Sequence, residues 1–164
     1  MARILILGLG NPILTDDGVG VLVAEEVRAH LNSTPEIDID IKELSVGGLT
    51  LMESMVGYES VILIDALYRP GGTPGAYHRL KIEDLQTLSP PQHLSSAHDV
   101  TLSTAIAVGR KMGLPIPDNI ILYAIEVENI TDFSDRPTPL VASVVPVVAQ
   151  AVINEIGSIS RSDR

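Results

Sequence analysis

The segment Ser60-Val61-Ile62-Leu63-Ile64-Asp65-Ala66 constrains the fold more than any other part of the chain. Its apolar run is unbroken where a half-wet strand would alternate, so it predicts a central parallel strand buried on both faces, with helices above and below. The surroundings agree. Residues 3–7 form a second short apolar run that ends in Gly8-Leu9-Gly10-Asn11-Pro12, a loop signal. A helix is expected over 18–31, where Val19, Leu22, Val23 and Val27 share one stripe and Asp16 or Asp17 stands where an N-cap is favoured. Ile37-Asp38-Ile39-Asp40-Ile41 alternates with period two, which predicts a strand with one wet face near an edge of the sheet.

The same alternation of strand and helix continues to the end of the chain. Gly47-Gly48 opens a short helix through about Met55, a turn cluster occupies 69–75, and 76–82 reads as a strand with a helical turn after it over 83–88. Pro90-Pro91 then breaks the regular pattern. A partly buried helix is expected over 99–112, a strand over 119–127, a loop over 129–139, and a helix over 140–157 bent or interrupted near Pro146. Residues 158–164 read as a loose tail. Strands alternating with helices specify an α/β fold: a single three-layer domain over 1–157, with a twisted, mostly parallel sheet and helices on both faces. The 164 residues suit one such domain.

Charge and composition exclude several classes of function. Twenty-one acidic residues face 11 basic ones, and a net charge of −10 repels nucleic-acid backbones. The absence of cysteine removes disulfides, thiolate zinc sites and cysteine nucleophiles, so any metal must be met by carboxylates, imidazoles or backbone oxygens. The stretch 140–156 is interrupted by Ser143, Pro146, Gln150, Asn154 and Glu155, short of an uninterrupted spanning segment. A soluble, cytoplasmic protein is expected, without membrane insertion.

In open α/β sheets, ligands sit beyond the carboxyl ends of the strands. Asn11 and the Asp16-Asp17 pair come after the first strand, Asp65 is placed at the end of the third, and His98 stands at the entrance of a helix. Two carboxylates and an imidazole from separate segments compensate a divalent cation and leave positions open for substrate or water. Each residue also has a plainer role available. Asp17 suits a helix cap equally well. Asp65 is harder to explain without a function, because a carboxylate in an apolar strand is costly unless paired or bound. His98, by its local context alone, suits a surface or capping group, and His93 competes with it from the same loop. Gly8-Leu9-Gly10 begins a dinucleotide fingerprint whose third glycine is replaced by Ile13, which argues against a nucleotide enzyme.

With these residues placed, the chain resembles the hydrogenase maturation proteases. The opening from Ile4 through Gly8-Leu9-Gly10-Asn11-Pro12 to Asp16-Asp17-Gly18-Val19-Gly20 looks like the family's strand, glycine loop and acidic helix start. Ile62-Leu63-Ile64-Asp65-Ala66 is similar to its second acidic segment, His98-Asp99-Val100-Thr101-Leu102 to its histidine segment, and Thr138-Pro139-Leu140-Val141 to a later Thr-Pro segment. The resemblance implies an endopeptidase that removes the C-terminal extension of the nickel–iron hydrogenase large-subunit precursor. It implies that Asp17, Asp65 and His98 contact the metal, and that the nickel arrives with the substrate, other divalent ions taking its place in the isolated protein. Asn11, Gly47 and Gly48 are the further candidates for substrate contact. Val46 and Leu49 depart from the family's usual Asp and Thr in the Gly47-Gly48 segment. The protein is expected to act as a monomer, and a rival reading is an assembly chaperone that binds the nickel-loaded subunit without cutting it.

Overall fold

The computed structural model describes residues 2–32, 37–45, 47–87, 93–94 and 99–162. Among these residues, six strands and four helices occur in the order β1 (Ala2–Leu9), α1 (Val19–His30), β2 (Ile37–Leu44), α2 (Gly48–Ser54), β3 (Ser60–Tyr68), β4 (Tyr77–Lys81), β5 (His93–Leu94), α3 (Asp99–Lys111), β6 (Asn119–Val127) and α4 (Pro139–Ser162). Single 3-10 turns occupy Thr15–Gly18 and Ile82–Thr87.

The sheet runs β2-β1-β3-β6-β4, with β1, β2, β3 and β6 mutually parallel and β4 antiparallel at the edge. As the unbroken apolar run requires, β3 is central and buried along nearly its whole length. Side chains alternate between two cores. Leu5, Leu7, Leu63, Leu67 and Leu122 pack with Leu51 and Met52 of α2 and Leu102, Ala105 and Ile106 of α3. Ile4, Ile6, Ile62, Ile64 and Ile125 pack on the opposite face with Val23 and Val27 of α1 and Val144, Val148 and Val152 of α4. Each fully buried aliphatic side chain contributes about 1.5–3 kcal/mol, and this two-sided burial makes the three layers one unit. The alternating strand predicted for 37–41 is the edge strand β2, none of whose residues is fully buried.

Three expectations are corrected. The strand carrying Asp65 does not stop there: β3 runs on to Tyr68, because β6 pairs with it through Val127 and β5 joins it at Leu67 and Tyr68. Residues 158–162 are not a loose tail but the last turns of α4, where Ile159 packs into the core. The same helix continues through Pro146 without interruption. The ring removes one backbone bond on an exposed side, where water can satisfy the freed carbonyl. At 24 residues, α4 reaches the length and hydropathy of a membrane span by composition alone. Its stripe of Val141, Val144, Val148, Val152, Ile156 and Ile159 is already buried in the domain.

Candidate functional site

The chain leaves β1 toward β2 on one side and returns to β3 on the other, so the strand order reverses between β1 and β3. At such a switch point the connections diverge above and below the sheet and open a crevice at the carboxyl ends. The ladder between β1 and β3 ends at Gly8 with Ile64, and β5 takes up the same side of β3 only at Leu67. Asp65 and Ala66 occupy the gap. Asp65 is fully buried and its Oδ1 accepts a 2.8 Å bond from the Ala66 amide.

Glycines bring the other carboxylate to this corner. A Cβ on Gly20 would lie 2.2 Å from the Ile64 carbonyl oxygen and 2.5 Å from that of Leu9, so only a bare backbone lets α1 sit this close to β1 and β3. The 3-10 turn that carries Asp17 packs against β3 directly ahead of that contact. Gly10, at a φ of +128°, leaves room for the Asp17 carbonyl, which a Cβ would meet at 1.9 Å. Asp17 Oδ2 accepts the Asn11 amide at 2.7 Å. Oδ1 has no hydrogen-bond partner among the described residues, and Asp17 keeps 8% of its surface open, so one oxygen serves the loop and one remains. Neither Asp16 nor Asp17 caps α1, whose N-cap position is Gly18 without any side-chain bond.

Asp16 instead ties the first loop to the connection between β6 and α4. It is fully buried and accepts from the amides of Glu128 and Asn129 at 3.1 Å each, the Thr138 amide at 2.7 Å and the Thr138 hydroxyl at 3.0 Å. Thr15 beside it adopts φ +51°, a conformation that β-branched residues rarely take. Bonds from its amide to the Ser134 carbonyl, 3.0 Å, and from its hydroxyl to the Asp132 carbonyl, 2.5 Å, offset that strain. The turn is thereby fixed, and with it the direction in which Asp17 leaves the backbone.

The turn that carries Asp17 thus packs against β3, the strand that carries Asp65. His98 lies outside the described residues, as does Val46. The helix α3, Asp99–Lys111, leads into β6. Among the described residues no three acidic or histidine side chains gather as a metal site. Asn11 serves the loop itself, its Oδ1 accepting the Ile13 amide at 3.2 Å. Gly47 and Gly48 open α2, Gly48 at φ +59°. A cavity of about 850 Å³ lies at the opposite, amino end of the sheet, around Ser60, Asn119 and Arg79.

Sequence reasoning passed over two residues on the same rim. Glu126 is buried near the end of β6, and its Oε2 lies 2.9 Å from His78 Nε2 of β4. The signal was present in Ile120-Ile121-Leu122-Tyr123-Ala124-Ile125-Glu126-Val127: a carboxylate within an apolar strand, the feature that singles out Asp65.

The family model described as HycI, hydrogenase maturation protease, matches residues 21–155. The chain belongs to the hydrogenase maturation protease family. The span matched contains Asp65, His98, His78 and Glu126 and begins just after Asp17. The hydrogenase 2 maturation protease of Escherichia coli K12 is 26% identical over 157 residues, covering 94% of this chain and 93% of the relative. The hydrogenase expression/formation protein HupD of Rhodobacter capsulatus is 25% identical over 154 residues, 94% of this chain and 71% of that protein. In three dimensions the hydrogenase maturating endopeptidase HybD from E. coli superposes with a TM-score of 0.76 over 99% of both chains at 23% identity, which shows a shared fold. The three-layer α/β reading is therefore correct, and the protein is a peptidase of this family.

The glycine contacts keep the two carboxylate-bearing segments together without any side chain between them.

Proposed function

We propose that this peptidase removes the C-terminal extension of the nickel-loaded precursor of a nickel–iron hydrogenase large subunit. In this reading Asp17, Asp65 and His98 contact the nickel that the substrate carries. The reading is supported by the packing of the turn that carries Asp17 against β3, the strand that carries Asp65, at the β1/β3 switch point, in a chain that belongs to the maturation protease family. The metal is part of the substrate: a precursor without nickel brings no cation to the crevice, so loading licenses cleavage. The partner is a folded protein, which fits the exposure of Ile13 and Phe133 on the two loops joined by the Ser134 amide and the Ile13 carbonyl at 3.0 Å. Phe133 is the chain's one phenylalanine and is 83% exposed. Large exposed apolar groups beside a site favour protein contact.

The test is to mix the purified protein with nickel-loaded and nickel-free precursor and weigh the products. Loss of a C-terminal peptide from the loaded form alone is the expected result. An unchanged mass of the loaded precursor, despite tight binding, sinks this reading in favour of a non-cleaving chaperone.

A further inference from the structure

Register places Asp65, Ala124 and His78 in one row across β3, β6 and β4, on the sheet face that α2 and α3 cover. Adjacent strands lie about 4.8 Å apart, so the backbones of Asp65 and His78 are about 10 Å from one another. The residue between them is an alanine, so only a methyl group rises from the middle of the row. Two residues further along β6, on the same face and nearer the carboxyl rim, stands Glu126.

The Glu126 side chain is 6% exposed and held from several directions. Oε1 accepts the Thr73 amide at 3.2 Å and lies 4.0 Å from Arg69 Nη1, while Oε2 meets His78 Nε2 at 2.9 Å. Gly72 is pressed against this carboxylate, since a Cβ there would come within 2.5 Å of Oε1. His78 itself keeps 39% of its side chain open to solvent. A buried carboxylate fixed by the connection from β3 to β4 therefore holds an accessible imidazole, and does so one strand beyond Asp65's neighbour. With Nε2–H donating to Glu126, the neutral ring presents Nδ1 as its basic nitrogen. A carboxylate that orients a histidine is an arrangement that proton-transfer catalysis uses.

We propose that His78, positioned by Glu126, is a catalytic residue that carries the proton in peptide hydrolysis; this rests on the C-terminal processing reading above. A water oxygen bonds to the scissile carbonyl carbon while one of its protons passes to Nδ1 of His78. The carbon–nitrogen bond then breaks, and the same proton goes to the departing amine nitrogen, returning a neutral ring. One water is consumed, with no oxidant or reductant. Glu126 touches none of the reacting atoms and is a positioning residue.

The experiment compares wild type, His78→Ala, His78→Gln and Glu126→Gln on nickel-loaded precursor, with circular dichroism and precursor binding measured in parallel. Folded His78→Ala and His78→Gln should lose about 10²–10³-fold in kcat with KM little changed. Added imidazole should restore part of the His78→Ala rate, and Glu126→Gln should lose about tenfold in kcat. Wild-type kcat in either folded His78 variant overturns the proposal. So does a loss that imidazole does not relieve and that is matched by an equal loss of precursor binding, the mark of a merely structural role. In both cases wild-type cleavage leaves the processing reading standing, whereas a wild-type protein that cannot cut the loaded precursor overturns that reading and this inference together.

Discussion

Asp16 and Asp17 are neighbours in the chain, yet their carboxylates serve different parts of the molecule. Asp16 is enclosed by donors from Glu128, Asn129 and Thr138, while Asp17 gives one oxygen to the Asn11 amide and keeps the other unbonded among the described residues. The 3-10 turn between β1 and α1, with Thr15 at a positive φ, separates the two directions. One aspartate builds the corner and its neighbour is left to use it.

Their variants should separate accordingly. Asp16→Ala strands buried amides and a hydroxyl and should cost about 3 kcal/mol or more in chemical denaturation. Asp17→Asn keeps the bond from Asn11 and should lie within about 1 kcal/mol of wild type while precursor cleavage falls at least about 100-fold. Equal destabilisation by both would contradict the division of roles.

Asp65→Asn and His98→Ala are expected to abolish cleavage of nickel-loaded precursor, whereas His93→Ala should be nearly silent. The assay is the product mass, with circular dichroism to check that Asp65→Asn still folds. Full activity in Asp65→Asn would remove the metal-reading role assigned to the crevice.

Gly20→Ala tests the backbone contact. The added methyl meets the Ile64 and Leu9 carbonyl oxygens, neither of which can move without the sheet. A cost of about 3 kcal/mol is expected, together with reduced cleavage although the residue has no chemistry of its own. A melting temperature equal to wild type would show that α1 stands further from β3 than these distances require.

The Arg79–Glu155 pair predicts a pH signature. Two bonds from the Arg79 guanidinium, at 2.7 and 2.9 Å, hold the Glu155 carboxyl below its ordinary value of 4.5, against the opposing effect of burial; the Tyr123 hydroxyl adds a third at 2.8 Å. Folding lowers this pKa, so the stabilisation is complete above 4.5 and is lost as pH falls through the folded value. With Arg79 nearly half exposed, the pair is worth about 1 kcal/mol. Urea titrations of wild type and Glu155→Gln should differ by that amount at neutral pH and converge in acid. A gap that widens in acid would reverse the sign assigned here.

Elements governed by local pattern were legible in the sequence. The strand expected over 119–127 is β6, Asn119–Val127, and the alternating acidic run is an edge strand. What escaped depends on pairing between distant segments. Asp65 reads as a strand end because its neighbours change character there, but β6 and β5 carry the strand three residues further. The roles of Asp16 and Asp17 cannot be told apart from two identical adjacent letters, since the turn that aims them is set by Ser134 and Thr138. Glu126 gave the same apolar-strand signal as Asp65, but its meaning emerges only when β4 brings His78 beside it.

The clasp on Asp16 joins positions 122 residues apart. During synthesis the opening loop therefore waits for 122 further residues before its carboxylate finds the Thr138 donors. A chain that stops short of Thr138 holds Asp16 and Asp17 without the tie that fixes their turn.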